Sequence, residues 1–228
     1  MEVVIPVPAV PALPIQGTSR VFPVRRIYCI GRNYADHARE MGMDPEREPP
    51  FFFGKPHDTV VPGGGDIAYP PLTSNLHHEV ELVVAIAVGG RDIMPAEALA
   101  HVYGYAVGID LTRRDLQANA KDKGQPWDTA KGFDQSAPVS RILPAAAGGH
   151  FEHGTIWLSV NGVEKQRGDL SQMIWSVPEV IAHVSRFVAL APGDLIFTGT
   201  PAGVGPIIRG DQVRCGIEGL GELEIVLA

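Results

Sequence analysis

The chain has 228 residues, 45% of them hydrophobic and 20% charged, with a net charge of −7. That size and apolar content suit one large globular domain or two small ones and exclude a disordered chain, while the negative balance argues against a binder of nucleic-acid phosphates. No apolar run approaches the ~20 residues that span a bilayer, and the two cysteines, Cys29 and Cys215, lie in apolar runs and read as buried thiols of a reducing compartment.

The 26 glycines and 20 prolines fall between short apolar runs, which favours a turn-rich, strand-rich fold over a helical bundle. Residues 1–14 carry prolines at 6, 8, 11 and 14 and no basic start, so they read as an extended segment against the body rather than a signal peptide. The chain is therefore expected in the cytoplasm. Residues 21–30 predict one or two short strands broken at Pro23. In residues 31–42, Asn33 offers an N-cap and Gly42 a stop for a short helix on which His37 and Glu40 are i, i+3 neighbours. A carboxylate beside an imidazole orients it and raises its basicity, as a general base requires; an exposed ion pair has the same spacing. The charged, Pro-containing residues 44–50 suit a lid. Phe51, Phe52 and Phe53 predict a strand that demands core, and it ends at Lys55, an ammonium placed to meet an anionic substrate.

Residues 75–84 follow, reading Asn-Leu-His-His-Glu-Val-Glu-Leu-Val-Val. On a strand, residues i and i+2 share a face, so the Glu79 and Glu81 carboxylates aim at one point. Side by side and buried they would repel, and a hard divalent cation with oxygen ligands removes that cost. Asp110, at the end of the apolar residues 103–109, is the candidate third ligand. The competing readings are an outward acidic face of an edge strand, or zinc held by His77 and His78, which alternation would point to opposite faces.

Residues 95–101 predict a short helix with proline at its first position. Thr112 and Asp115 have capping-box spacing for a helix reaching about Lys121, and residues 124–131 read as a loop whose Trp127 either closes a core or, the preferred reading, walls a pocket. Asn161-Gly162 predicts a type I′ hairpin, and a helix with the apolar stripe Val177, Val180, Ile181, Val184 and Val188 starts at Ser176. In residues 198–205 (Thr-Gly-Thr-Pro-Ala-Gly-Val-Gly), glycine admits close backbone approach to a ligand and the threonine hydroxyls suit a carboxylate; the ending of a Walker loop is missing.

Taken together, these motifs resemble the fumarylacetoacetate hydrolase superfamily, especially its short members acting on acylpyruvates. The resemblance rests on residues 31–37, Phe53-Gly54-Lys55-Pro56, residues 75–82, Gly104-Tyr105 through Asp115, residues 123–139 and residues 198–205, in family order. It implies an α+β fold with a mixed β-sandwich or β-roll core and short peripheral helices. Residues 1–24 would then be an extended Pro-rich segment and residues 25–228 a single catalytic domain. It implies a homodimer with one Mg²⁺ or Mn²⁺ per subunit on Glu79, Glu81 and Asp110, and Lys131 beside the metal. Lys55 would line the pocket, His37 and Glu40 would form the dyad of the lid helix, and Arg114, Gln117 and Thr200 would contact substrate.

The implied reaction is metal-dependent hydrolysis of a C–C bond in a small anionic 2,4-dioxo acid, with fumarylpyruvate giving fumarate and pyruvate as the preferred case. His37 would take a proton from water, and the cation and Lys131 would stabilise the pyruvate enolate that leaves. Oxaloacetate decarboxylation and isomerisation of a dienoate are alternative uses of one metal site; a metal-stabilised β-rich binding protein is the non-enzymatic one. A distal substrate carboxylate has Arg32, Lys55 and Arg114 as candidate partners, among which the sequence does not choose.

Overall fold

The computed structural model describes residues 3–35 and 49–228. His37, Glu40 and the helix and lid read around them lie outside the described residues. At the centre is an eight-stranded mixed sheet. Its main path runs Phe51–Lys55, Arg26–Gly31, Asp194–Phe197, Val80–Ile86, Val102–Ile109, Ala137–Val139 and Val60–Pro62, with Leu143–Pro144 on Val102–Ile109. A five-stranded sheet packs against it, in the order Val163–Asp169, Thr155–Val160, Gln212–Ile217, Gly221–Leu227 and Gly65–Ile67. A small sheet of Thr112–Arg113, Leu76–His78 and Gly205–Ile207 bridges the end where the acidic stretch begins. The expected α+β fold, with a curled mixed sheet and a few short helices, is what the chain forms.

Strand parity decides where the site can be. Every residue of Val80–Ile86 is buried, because both faces of the sheet are covered. Leu82, Val84 and Ile86 join the main core between the two large sheets, with Val107, Leu158, Cys215, Ile225 and the inner stripe of the helix Val177–Phe187. Val83 and Ala85 face the other way, onto a second core with Ile27, Cys29, Ala106 and Phe197. Leu13 and Phe22, from the N-terminal strands Ala12–Pro14 and Val21–Pro23, and Ile15 just after the first close that second face. Each such side chain contributes roughly 1.5–3 kcal/mol when fully buried. Upstream and downstream on this second face, the same parity carries Glu79, Glu81 and Asp110.

The three phenylalanines do not share one core. Phe52 packs edge-on against Tyr28 and Phe187, with centroids at 5.8 and 5.6 Å, on the main-core side. Phe51 and Phe53, on the opposite face, meet Trp127 at 5.4 and 5.6 Å. The hairpin is as expected: Asn161 and Gly162 have φ of 51° and 77°, as a type I′ turn requires. The helix at Ser176 carries the capping box Ser176–Glu179. Other local expectations fail. Asp115 accepts from Thr73 Oγ1 and Ser74 N instead of closing a box with Thr112, and the helix Arg114–Asp122 starts without a side-chain cap. The last turn of the loop 124–131 is helical, Asp128–Lys131. Asn33 is a buried clamp: its amide donates to Thr198 O at 2.7 Å and Trp175 O at 2.9 Å and accepts from Trp175 N at 2.7 Å, while the helix turn it was expected to cap lies outside the described residues.

Candidate metal centre

Two antiparallel neighbours bring the acids together. Val80 pairs with Ile109 and Glu81 with Gly108, and just beyond, Asp110 N donates to Glu79 O at 2.8 Å. Glu79 and Asp110 thus sit at the same end of the ladder, with Glu81 one pleat further in. Carboxylate oxygens of Glu79, Glu81 and Asp110 all lie within 4.8 Å of one another, and all three residues are buried. No histidine joins this group among the described residues. His78 turns away to Gln166 Oε1 at 2.8 Å, and His77 is engaged with Asn75 Oδ1, also at 2.8 Å.

Cations surround the acids. Lys131 Nζ donates to Glu79 Oε2 at 2.7 Å and Asp110 Oδ2 at 2.6 Å, while Arg114 pairs with Glu79 and donates to Gln117 Oε1 at 2.6 Å. The two carboxylates hold the buried Lys131 ammonium well above its usual pKa, against the opposing effect of burial, which is the largest single influence. His77 is pushed down to about 4 by burial and by Arg114 beside it. Glu81 differs from its neighbours. It has no salt bridge among the described residues and takes a hydrogen bond from Gly199 N at 2.7 Å. Burial, Asp110 and Glu79 raise its pKa well above the usual carboxylate range. Asp110 Oδ1 lies 2.8 Å from Lys55 Nζ but in no hydrogen bond.

Those features fit a hard divalent cation: an all-oxygen donor set, a buried carboxylate with no salt bridge among the described residues, and a carboxylate oxygen left without a hydrogen bond. The residues present would hold Mg²⁺ or Mn²⁺.

The acids form the floor of a cleft with about 450 Å³ of space, the open mouth included. Phe51, Phe53 and Trp127 wall it, and Arg32, Lys121, Arg114, Gln117, Lys131 and Thr200 face it. The expected contacts Arg114, Gln117 and Thr200 therefore all reach the cleft, and Trp127 is a wall. Lys55 does not line it. Its side chain is fully buried behind Asp110, donating to Leu111 O at 3.2 Å and to Lys131 O. The position of His37 and Glu40 relative to the cleft lies outside the described residues.

Gln166 was missed from sequence. It is fully buried, its Oε1 meets His78 Nδ1 and accepts from Val80 N at 3.2 Å, and its Nε2 donates to Thr200 Oγ1 at 2.8 Å and Pro201 O at 2.9 Å. It ties the acidic strand to the Thr200 loop. Lys121 was missed too, although a signal existed: residues 114, 117 and 121 stand at i, i+3 and i+7, one face of a helix.

Comparison with known proteins agrees with this geometry. The family model described as fumarylacetoacetate (FAA) hydrolase C-terminal matches residues 26–228. A fumarylpyruvate hydrolase of a Ralstonia species is 45% identical over 81% of this chain and 96% of its own length. The mitochondrial oxaloacetate tautomerase of Homo sapiens is 44% identical over 86% of this chain and 88% of its own. A crystal structure of fumarylpyruvate hydrolase from Pseudomonas aeruginosa in complex with Mn²⁺ and pyruvate superposes with a TM-score of 0.97 at 52% identity, covering 100% of both chains.

Proposed function

The chain belongs to the fumarylacetoacetate hydrolase family, and on that premise we propose that it is a metal-dependent hydrolase that cleaves fumarylpyruvate to fumarate and pyruvate. The observation that carries the reading is the triad of buried acids at the floor of a cleft whose other charged groups, among the described residues, are cationic. Around the acids, Lys55, Arg114 and Lys131 cancel the three carboxylate charges formally. A divalent cation then leaves an excess of two positive charges, which suits a 2,4-dioxo acid bearing a carboxylate and, as the bond breaks, an enolate.

When bound, the cation supplies Lewis-acid polarisation of the substrate's oxygens. The chain supplies the rest. Lys131, held charged by Glu79 and Asp110, faces the cleft and donates hydrogen bonds to the oxygen on which enolate charge develops. Arg114, locked by Glu79 and Gln117, and Thr200, locked by Gln166, orient the carboxylate end. His37, oriented by Glu40, takes the proton of the attacking water, and C–C cleavage releases the acid and the pyruvate enolate, which is then protonated. A homodimer in a reducing cytoplasm completes this reading, consistent with two buried, unpaired thiols.

The similarity to an oxaloacetate tautomerase favours a second use of the same site, enolisation of oxaloacetate, which needs no attacking water. A panel of fumarylpyruvate, acetylpyruvate and oxaloacetate with Mg²⁺ separates them, followed by loss of enol absorbance and release of pyruvate. Equimolar fumarate and pyruvate from fumarylpyruvate, at the highest kcat/KM of the panel, is expected. Turnover of oxaloacetate alone would overturn the hydrolase assignment.

A further inference from the structure

We infer that Arg32 and Lys121, at the mouth of the cleft, bind the distal carboxylate of the substrate and so set a preference for acylpyruvates whose acyl group ends in an acid. This deepens the hydrolase reading above and rests on it. Of the cations near the cleft, those at the floor are already engaged: Lys55 with Asp110 and backbone carbonyls, Lys131 with Glu79 and Asp110, Arg114 with Glu79 and Gln117. Among the described residues, Arg32 and Lys121 make no ion pair. Both are exposed and both line the cleft.

They stand on neighbouring aromatic walls. The Arg32 guanidinium lies 5.2 Å from the centroid of Phe51 and the Lys121 ammonium 5.2 Å from that of Trp127. Those two rings touch edge to face with centroids 5.4 Å apart. The two cations therefore bracket one opening, above a flat slot suited to a conjugated chain. Arg32 is aimed there by strained backbone. Its φ is 60°, the left-handed region that an arginine rarely adopts, and the preceding Gly31 leaves room for the Phe51 ring, which an added Cβ would meet at 2.2 Å. Such strain at a site mouth is kept where it positions a group. Lys121 also feels Arg32 and Arg114 as like charges, which with burial lower its pKa, so an anion between them relieves repulsion. A substrate anchored at the acids by its 2-oxo acid end and extending between Phe51 and Trp127 delivers its far carboxylate to this pair.

The test uses Arg32→Asn, chosen because asparagine tolerates left-handed backbone, together with Lys121→Gln and the double variant. In the double variant the ratio of kcat/KM for fumarylpyruvate over acetylpyruvate should fall about 10- to 100-fold, the worth of charge-assisted hydrogen bonds to one carboxylate. An unchanged ratio overturns the inference while leaving the hydrolase reading in place. A binding readout stands apart from turnover: titration of the Mn²⁺-loaded protein with 2-oxoheptanedioate and with 2-oxoheptanoate, which match in length and differ in the terminal acid. The wild type should prefer the diacid by at least about 10-fold and the double variant should lose that preference. No preference in the wild type, or an undiminished one in the variant, overturns the inference. Turnover of neither acylpyruvate alongside a preference that follows Arg32 and Lys121 overturns the hydrolase reading instead.

Discussion

Gln166 joins four groups with one amide, and its replacement by leucine would leave Val80 N, Thr200 Oγ1 and Pro201 O without it in a sealed environment. A buried polar group stripped of its partner costs about 1–3 kcal/mol, so Gln166→Leu should lower stability by at least about 2 kcal/mol in denaturant titration. The same change frees Thr200, so KM should rise more than kcat falls. A proportional fall in kcat with KM unchanged would count against a positioning role. At His37 the expectation is the reverse. His37→Ala should lower kcat by about 10²- to 10⁴-fold, as loss of a general base does, while Mn²⁺ affinity measured by calorimetry stays at the parent value. Parent-rate hydrolysis by that variant would remove the histidine from the mechanism. Of Gln166 and His37, only His37 stood out in the sequence, because a histidine three residues from a glutamate carries its own signature. Gln166 sits in the strand Val163–Asp169, which reads as a polar edge; one inward position in a run of exposed neighbours has no local mark.

The acidic strand was legible because side-chain alternation is a property of the chain itself: residues 79 and 81 must share a face wherever the strand lies. Asp110 was legible as the polar end of an apolar run. What parity does not reveal is the pairing of Val80–Ile86 with Val102–Ile109 in a register that sets Glu81 opposite Gly108. The misread cap has a tertiary cause. Asp115 has a side chain that caps helices well in isolation, yet Thr73 and Ser74, 42 and 41 residues away, compete for it and win. The glycine of the 198–205 loop was expected to let backbone approach a ligand. It lets backbone approach Glu81 instead. Gly199 has φ of 99°, and a Cβ there would meet Asn33 Cβ at 2.7 Å. Gly199→Ala should therefore destabilise by about 1–3 kcal/mol and, by dragging its N–H off Glu81, weaken Mn²⁺ binding. A variant of parent stability and parent metal affinity would show that this turn is not held by its neighbours.

At the scale of the whole molecule, Glu81 acting as a metal ligand would couple metal binding to folding. The unliganded fold keeps a proton on that carboxyl to higher pH than the unfolded chain does. The stability it contributes is present in acid and is lost as pH rises beyond the usual carboxylate range. A divalent cation takes the proton's place, so it should stabilise the protein more at pH 8 than at pH 5. At a hundredfold excess over Kd the melting midpoint should rise about 5–10 °C at the higher pH and less at the lower, with chelator reversing it. An equal or larger rise at pH 5 would mean that Glu81 is not where the ion binds. The cationic mouth also has a consequence for encounter. The chain carries a net charge of −7, so an approaching dianion meets net repulsion, against which Arg32 and Lys121 at the mouth exert a local attraction. Capture should then be guided by a field whose reach shrinks with added salt, to ~10 Å at 0.1 M and ~3 Å at 1 M. Raising the ionic strength should slow the arrival of diacids more than that of their singly charged counterparts.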